Sequence, residues 1–195
     1  MPKLGMEPFR RNQVMSACLA CLADGGLEKL TLDQVAARAK VSKGVVNYYF
    51  QGKKDLLLSS LKALLEIYMT RVMARIDETT PPWEMLEAIL DAVLGDFDHP
   101  SDRFPADPSD PGKFDRIRFD FSQAPRLMIQ FMSLAMDDDD FSRIFIGVQE
   151  KYLSGTVAVF SYGLESGPRV ETDPFKAAYG LGAMLEGFWA HRSIG

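Results

Sequence analysis

The sequence predicts an all-α protein of about nine helices, in which a small N-terminal head with a helix-turn-helix is joined by a long helix to a larger helical body. Three observations carry this. Apolar residues recur at helical spacing through most of the 195 residues, and no segment is expected as a strand. The breaks in that periodicity fall on helix stop and start signals, such as Gly25-Gly26, Ser42, Pro81-Pro82 and Asp173-Pro174. Residues 31–50 then hold two short helices around a tight turn.

The first helix is expected over residues 7–23, stopped by Gly25-Gly26. Thr31 caps the second, with Gln34 three residues on to complete a capping box. Leu32, Val35, Ala36 and Ala39 give that helix one apolar face. Lys40-Val41 turns the chain, and Ser42 caps a third helix running to Tyr49. Val46 and Phe50 point inward at a spacing of four, leaving Lys43, Val45, Asn47, Tyr48 and Tyr49 on other faces. A short helix showing Lys, Asn and Tyr suits the DNA major groove, where phosphates and base edges both take such groups. An ordinary helical hairpin is the alternative.

The fourth helix is expected over residues 53–77, with Leu56, Leu57, Leu61, Leu64, Leu65, Tyr68, Met69, Val72 and Ile76 in helical period. Pro81-Pro82 starts a fifth over 83–97, since Pro is tolerated in a first turn. Residues 98–113 hold Pro100, Pro105, Pro108 and Pro111 and read as a loop. A sixth helix is expected over 114–121 and a seventh over 125–136. The eighth, over 139–165, has Asp137 to Asp140 charging its start; these lack the alternating ligand pattern of a calcium loop. The ninth runs from an Asp173 cap to at least His191.

Charge divides the chain. Its net charge is -5, yet residues 1–54 hold nine basic and four acidic side chains, +5, and the remainder 13 basic and 23 acidic, -10. A basic head on an acidic body fits a nucleic-acid reader whose contact stays confined to the head. The split puts the reader at 1–52 and the body at 53–195. No apolar run is long enough to span a membrane, and Arg10, Arg11 and Asn12 interrupt any signal-peptide core, so a cytoplasmic protein is expected.

Chemistry-bearing groups are few. Cys18 and Cys21 form a C-x-x-C pair near a helix C-terminus, where the dipole does not favour a thiolate. No second Cys or His pair completes four zinc ligands, so buried small residues are the simpler reading. His99 and His191 sit in no catalytic or metal-like context. No enzyme, metal or cofactor is expected.

Residues 8–62 resemble the N-terminal domain of the tetracycline-repressor (TetR) family. The markers are the helix ending at Gly25-Gly26, Thr31-Leu32, Val41-Ser42-Lys43-Gly44, Tyr48-Tyr49-Phe50 and Lys53-Lys54-Asp55-Leu56-Leu57. The opening Met1-Pro2-Lys3-Leu4-Gly5-Met6 with Pro8, Arg10 and Arg11, and the ending Leu185-Glu186-Gly187-Phe188-Trp189, look more narrowly like its betaine-pathway (BetI) branch. The resemblance implies a dimeric repressor, released from double-stranded operator DNA by a small-molecule effector, with the last two helices pairing with their copies. It also sharpens residue roles. Lys43 and Asn47 are placed to read guanine and adenine edges, and Val45 to pack on a thymine methyl. Gly44 lets the helix approach closely. Tyr48, Tyr49, Thr31 and Lys53 are expected on phosphates, with Arg10 and Arg11 adding backbone or minor-groove contact.

The body is rich in Met and Phe, and such stripes are often plain core. The family keeps its effector pocket between these helices, and Trp83, Phe97, Phe121, Met128, Phe131, Met132 and Tyr152 are the expected lining. Trp83, Phe131, Tyr152, Trp189 and Glu186 are the candidate groups for a quaternary ammonium such as choline, and the Met and Phe stock would suit a neutral lipophile. The fourth helix is expected to carry the signal to the head. A DNA-binding architectural protein without effector, or an activator of the same fold, is the alternative function.

Overall fold

A computed structural model describes residues 7–73, 76, 79–94, 117, 120–166 and 173–194. The described residues contain eight α-helices and one 3-10 turn, and no strand. They are α1 (Glu7–Lys29), α2 (Leu32–Arg38), α3 (Lys43–Tyr49), α4 (Lys53–Met73), α5 (Pro82–Leu94), α6 (Ala124–Asp137), α7 (Asp139–Ser166) and α8 (Pro174–Ile194). The 3-10 turn, Phe121–Gln123, leads into α6. The last residues expected of the fourth and fifth helices, and the loop 98–113, fall largely outside the described residues. So does most of the sixth helix expected over 114–121, and residue 121 opens the 3-10 turn instead. None of the described helices is long and apolar enough to cross a membrane.

Gly25-Gly26 breaks the first helix where expected, but a further short helical stretch carries α1 on to Lys29 beyond the kink. Gly26 sits at φ 74°, ψ 176°, a region almost closed to residues with a Cβ. The glycine pair therefore redirects the helix, and the extra turn lays Leu30 into the core at 3% exposure.

Head and body share one continuous core. Val14, Cys18, Leu19 and Leu22 of α1 meet Val35 of α2, Val46 of α3 and Leu56, Leu57, Leu61 and Leu64 of α4. The same cluster runs on into Leu127, Met128 and Phe131 of α6 and Phe141 of α7. Each such large side chain contributes about 1.5–3 kcal/mol on burial. α6 is thus packed against α1 as well as against α7 and α8.

Phe131 is fully buried and stacked on Phe141, with ring centroids 6.4 Å apart and planes 25° from parallel. Truncation at such a site leaves a void that close-packed neighbours do not fill. We expect Phe131→Ala to cost about 3–5 kcal/mol in urea unfolding, with the slope against denaturant unchanged. A cost under about 1 kcal/mol would mean that the site faces open space rather than core.

Candidate nucleic-acid interface and effector cavity

The reader is assembled from capped short helices. Thr31 Oγ1 accepts from the Gln34 backbone N–H (3.2 Å), and the Thr31 N–H donates to Gln34 Oε1 (3.1 Å), closing the capping box. At the other end of α2 the Lys40 N–H donates to the Ala37 carbonyl (3.1 Å) and the Val41 N–H to that of Ala36 (3.0 Å). That is a Schellman ending, and Lys40 takes its left-handed residue at φ 53°. Ser42 then caps α3, its hydroxyl accepting from the Val45 N–H at 3.4 Å.

Val46 and Phe50 anchor α3, at 0% and 1% exposure. Lys43, Gly44, Asn47 and Tyr48 are exposed, and Val45 and Tyr49 are half-buried. A Cβ on Gly44 would meet nothing nearer than Ser42 Oγ at 3.7 Å, so packing within the head does not demand glycine there. Lys43 Nζ pairs with Asp33 Oδ2 at 2.8 Å, both side chains more than half exposed. Such a pair holds a side chain by at most about 1 kcal/mol, so Lys43 is readily redirected to a nucleic acid. Lys53 Nζ donates to the Leu27 carbonyl at 2.9 Å from an exposed position, with N–H groups to spare.

A cavity of about 300 Å³ opens between α4, α6, α7 and α8. Its lining includes Leu65, Tyr68 and Met69 of α4, Met128, Met132, Ala135 and Met136 of α6, Phe145 and Tyr152 of α7, and Glu186 and Trp189 of α8, so thioether, alkyl and aromatic groups share it with one carboxylate among the described residues. The Tyr68 and Trp189 rings lie 5.8 Å apart at 47°. Trp189 Nε1 and the Tyr152 hydroxyl are buried and make no hydrogen bond among the described residues. Burial pushes the Tyr152 hydroxyl up to about 12, the nearby Thr156 hydroxyl offsetting part of the effect, so it stays protonated at neutral pH.

Residues 14–59 match the family model described as bacterial regulatory proteins, tetR family. Over its full length the chain is 30% identical to the HTH-type transcriptional regulator BetI 1 of Chromohalobacter salexigens, covering 84% of that relative. The chain belongs to the tetR family of bacterial regulatory proteins. It is a helix-turn-helix transcriptional regulator. Solved structures share the fold: a TetR transcription regulator from Haloarcula marismortui has a TM-score of 0.74 at 22% identity, covering 95% of this chain and 86% of that one. A transcriptional regulator from Saccharomonospora viridis, solved in complex with choline, has 0.73 at 16%, covering 92% and 83%.

In this family member the head collects most of the expected reader residues on or beside one exposed face, but not the two N-terminal arginines. Arg11 turns inward. Its Nη1 donates to the Tyr49 carbonyl (3.0 Å), its Nη2 to Ser59 Oγ (3.0 Å), and its guanidinium lies 4.5 Å from the Phe50 ring centroid. Arg10 Nη1 donates to Gln13 Oε1 (2.9 Å), and Gln13 Nε2 in turn to the Ala39 carbonyl (2.8 Å). Both arginines brace the reader. Of the expected effector residues, Met128, Met132 and Tyr152 line the cavity. Phe131 does not; it is core. Trp83 stands at the start of α5, 66% exposed and away from the cavity. Phe97 and the Phe121 side chain lie outside the described residues. Tyr68, Met69 and Phe145 were missed. An aromatic with a polar tip inside the apolar stripe of α4 was the available signal for Tyr68. Cys18 is buried, and burial pushes its thiol up to about 12, against a smaller lowering by the nearby Ser60 hydroxyl, so it offers no thiolate at neutral pH.

The two kinds of cation separate by salt dependence. Lys53→Ala is expected to weaken operator binding and flatten the slope of log affinity against log salt by roughly one per head. Arg11→Met is expected to cost about 1.5–3 kcal/mol of stability, and to weaken operator binding with the slope unchanged. Fluorescence anisotropy across a salt series reads both, and a flattened slope in Arg11→Met would return Arg11 to the phosphate contacts.

Proposed function

We propose that the protein is a dimeric repressor that holds a near-palindromic operator and leaves it when a small organic cation fills the cavity. Residues 1–52 are the reader and 53–195 the sensing and pairing body. In this reading Lys43, Val45 and Asn47 meet base edges, Gly44 allows close approach, and Thr31, Tyr48, Tyr49 and Lys53 meet phosphates. The supporting observation for the effector is the cavity's composition. Tyr68, Tyr152, Phe145 and Trp189 offer rings to a cation, and Glu186 supplies the one carboxylate of the lining among the described residues. Trp189 Nε1 and the Tyr152 hydroxyl offer donors to a ligand oxygen. The choline-bound regulator from Saccharomonospora viridis supports a quaternary ammonium such as choline. Met69, Met128, Met132 and Met136 favour a second reading, a neutral lipophile.

The two readings part on one carboxylate. For a cationic effector, Glu186→Gln should weaken choline binding by roughly tenfold while operator affinity without effector stays within about twofold. Thermal shift with choline and with a neutral lipophile of similar size, followed by operator release, measures this. Stabilisation by the lipophile alone would sink the cationic reading.

Pairing rests on α8. Phe175, Tyr179, Ala183, Gly187 and Ile194 form an exposed stripe along it, with Phe175, Tyr179 and Ile194 at 54%, 61% and 87% exposure. Unpartnered apolar area of this kind marks an association surface. A Cβ on Gly187 would meet nothing within 4 Å inside the protomer. Gly187→Arg should therefore leave the protomer folded and abolish the dimer, with operator affinity falling at least about a hundredfold as two heads cease to act together. Sedimentation showing an intact dimer would move the interface off this stripe.

A further inference from the structure

α6 faces two ways. Met128, Met132, Ala135 and Met136 look into the cavity, while Gln130, on another side of the same helix, reaches the head. Gln130 Nε2 donates to the Leu22 carbonyl at 3.3 Å, and its Oε1 lies 3.6 Å from where a Cβ on Gly26 would stand. At its C-terminus α6 gives way to α7 through Asp138, and there a second grip is made. Lys54 Nζ, in the first turn of α4 beside the reader, pairs with Asp138 Oδ2 and Asp140 Oδ2, both at 2.7 Å. Among the described residues no other ion pair links the reader end of α4 to the body.

We propose that Lys54, Asp138 and Asp140 are positioning residues that fasten the α6–α7 junction to the reader, so that an effector displacing α6 moves the start of α4 with it. This rests on the effector reading above. It makes α6 a second route from cavity to reader, beside the continuous α4. Three observations support it. One cation is shared by two carboxylates, one on the extended residue between α6 and α7 and one in the first turn of α7, which fixes the junction in direction as well as distance. Hydrogen bonding to Lys54 is the largest cause holding both carboxyls below the ordinary carboxylate range, so the junction stays charged at neutral pH. The Gln130 contact grips α1 near its glycine kink, so the two attachments straddle the reader's base.

Lys54 neighbours Lys53, and its removal alone would confuse a lost clamp with a lost phosphate contact. The test therefore works from the acidic side, with Asp138→Asn/Asp140→Asn in the full-length protein. Hydrogen exchange of the free protein should quicken at least about threefold over residues 22–29 and 53–60. Choline should bind within about twofold of wild type, while the factor by which it lowers operator affinity should shrink at least about threefold. Lys54→Asp combined with Asp138→Lys and Asp140→Lys should restore that factor toward wild type, which a merely structural role would not do. Unchanged exchange in the double variant would overturn the clamp. So would an unchanged release factor, or a charge swap that restores nothing. If choline fails to release the wild-type protein, the cationic effector reading fails, and the exchange measurement alone decides the clamp.

Discussion

A seven-residue helix cannot hold itself together in water, and everything this regulator does depends on holding one in place. α3 has too few internal hydrogen bonds to repay its nucleation, so its position is imposed from outside. Ser42 fastens its start, Val46 and Phe50 sink one face into the core, and Arg11 secures its end. The guanidinium serves three partners at once: a carbonyl of the last turn of α3, a hydroxyl of α4 and the face of the Phe50 ring. A charged donor to a partly buried carbonyl contributes about 1.5–3 kcal/mol, more than any exposed ion pair in the head. Because anchoring is done from the inner side, Lys43, Gly44, Asn47 and Tyr48 keep an outer side free of structural duty.

The same logic explains why the head is not an independent bead on a string. Its core residues and those of α6 and α7 belong to one cluster, so Leu22 and Leu61 are continuous with Leu127 and Phe141. A packed interior of this kind does not deform smoothly; it transmits a displacement or repacks. A ligand entering between α4, α6, α7 and α8 pushes on helices whose other faces are already spoken for by the head.

Much of this was legible in the sequence, and the failures have physical causes. Thr31 with Gln34, Ser42, and Val46 with Phe50 are local signals acting over three or four residues, and each appears in the structure as read. Gly25-Gly26 marked the break but not the short helical stretch beyond it, because glycine permits an end and a kink equally well. Leu27 and Leu30, the apolar residues beyond it, were the evidence that the chain still had a face to bury. Arg11 misled because a charge count treats every cation as outward, whereas its direction is set by groups 38 and 48 residues away in the chain. Phe131 was expected at the cavity and is core, whereas Tyr68, expected only as part of the apolar period of its helix, belongs to the core cluster and also lines the cavity. Both lie on apolar helix faces, and periodicity does not say whether such a face meets a neighbour or a void.

Magnitudes decide how the work of release is divided. A hundredfold loss of operator affinity requires about 2.7 kcal/mol of coupling between effector and reader. An effector supplies that only as a difference in its affinity for the two arrangements of the head, however tightly it binds overall. The Lys54 pairs are half-exposed, so water and salt screen them strongly. They fall short of the whole. The remainder must come through α4, where Leu64 and Leu65 lie one turn or less from Tyr68 and Met69 in the cavity wall and are packed at 0% and 6% exposure. A shift of α4 large enough to admit a ligand disturbs those contacts directly, at about 0.8 kcal/mol for each methylene forced back into water. The ion pairs then set the direction in which the reader follows, and the leucines of α4 set how much energy drives it.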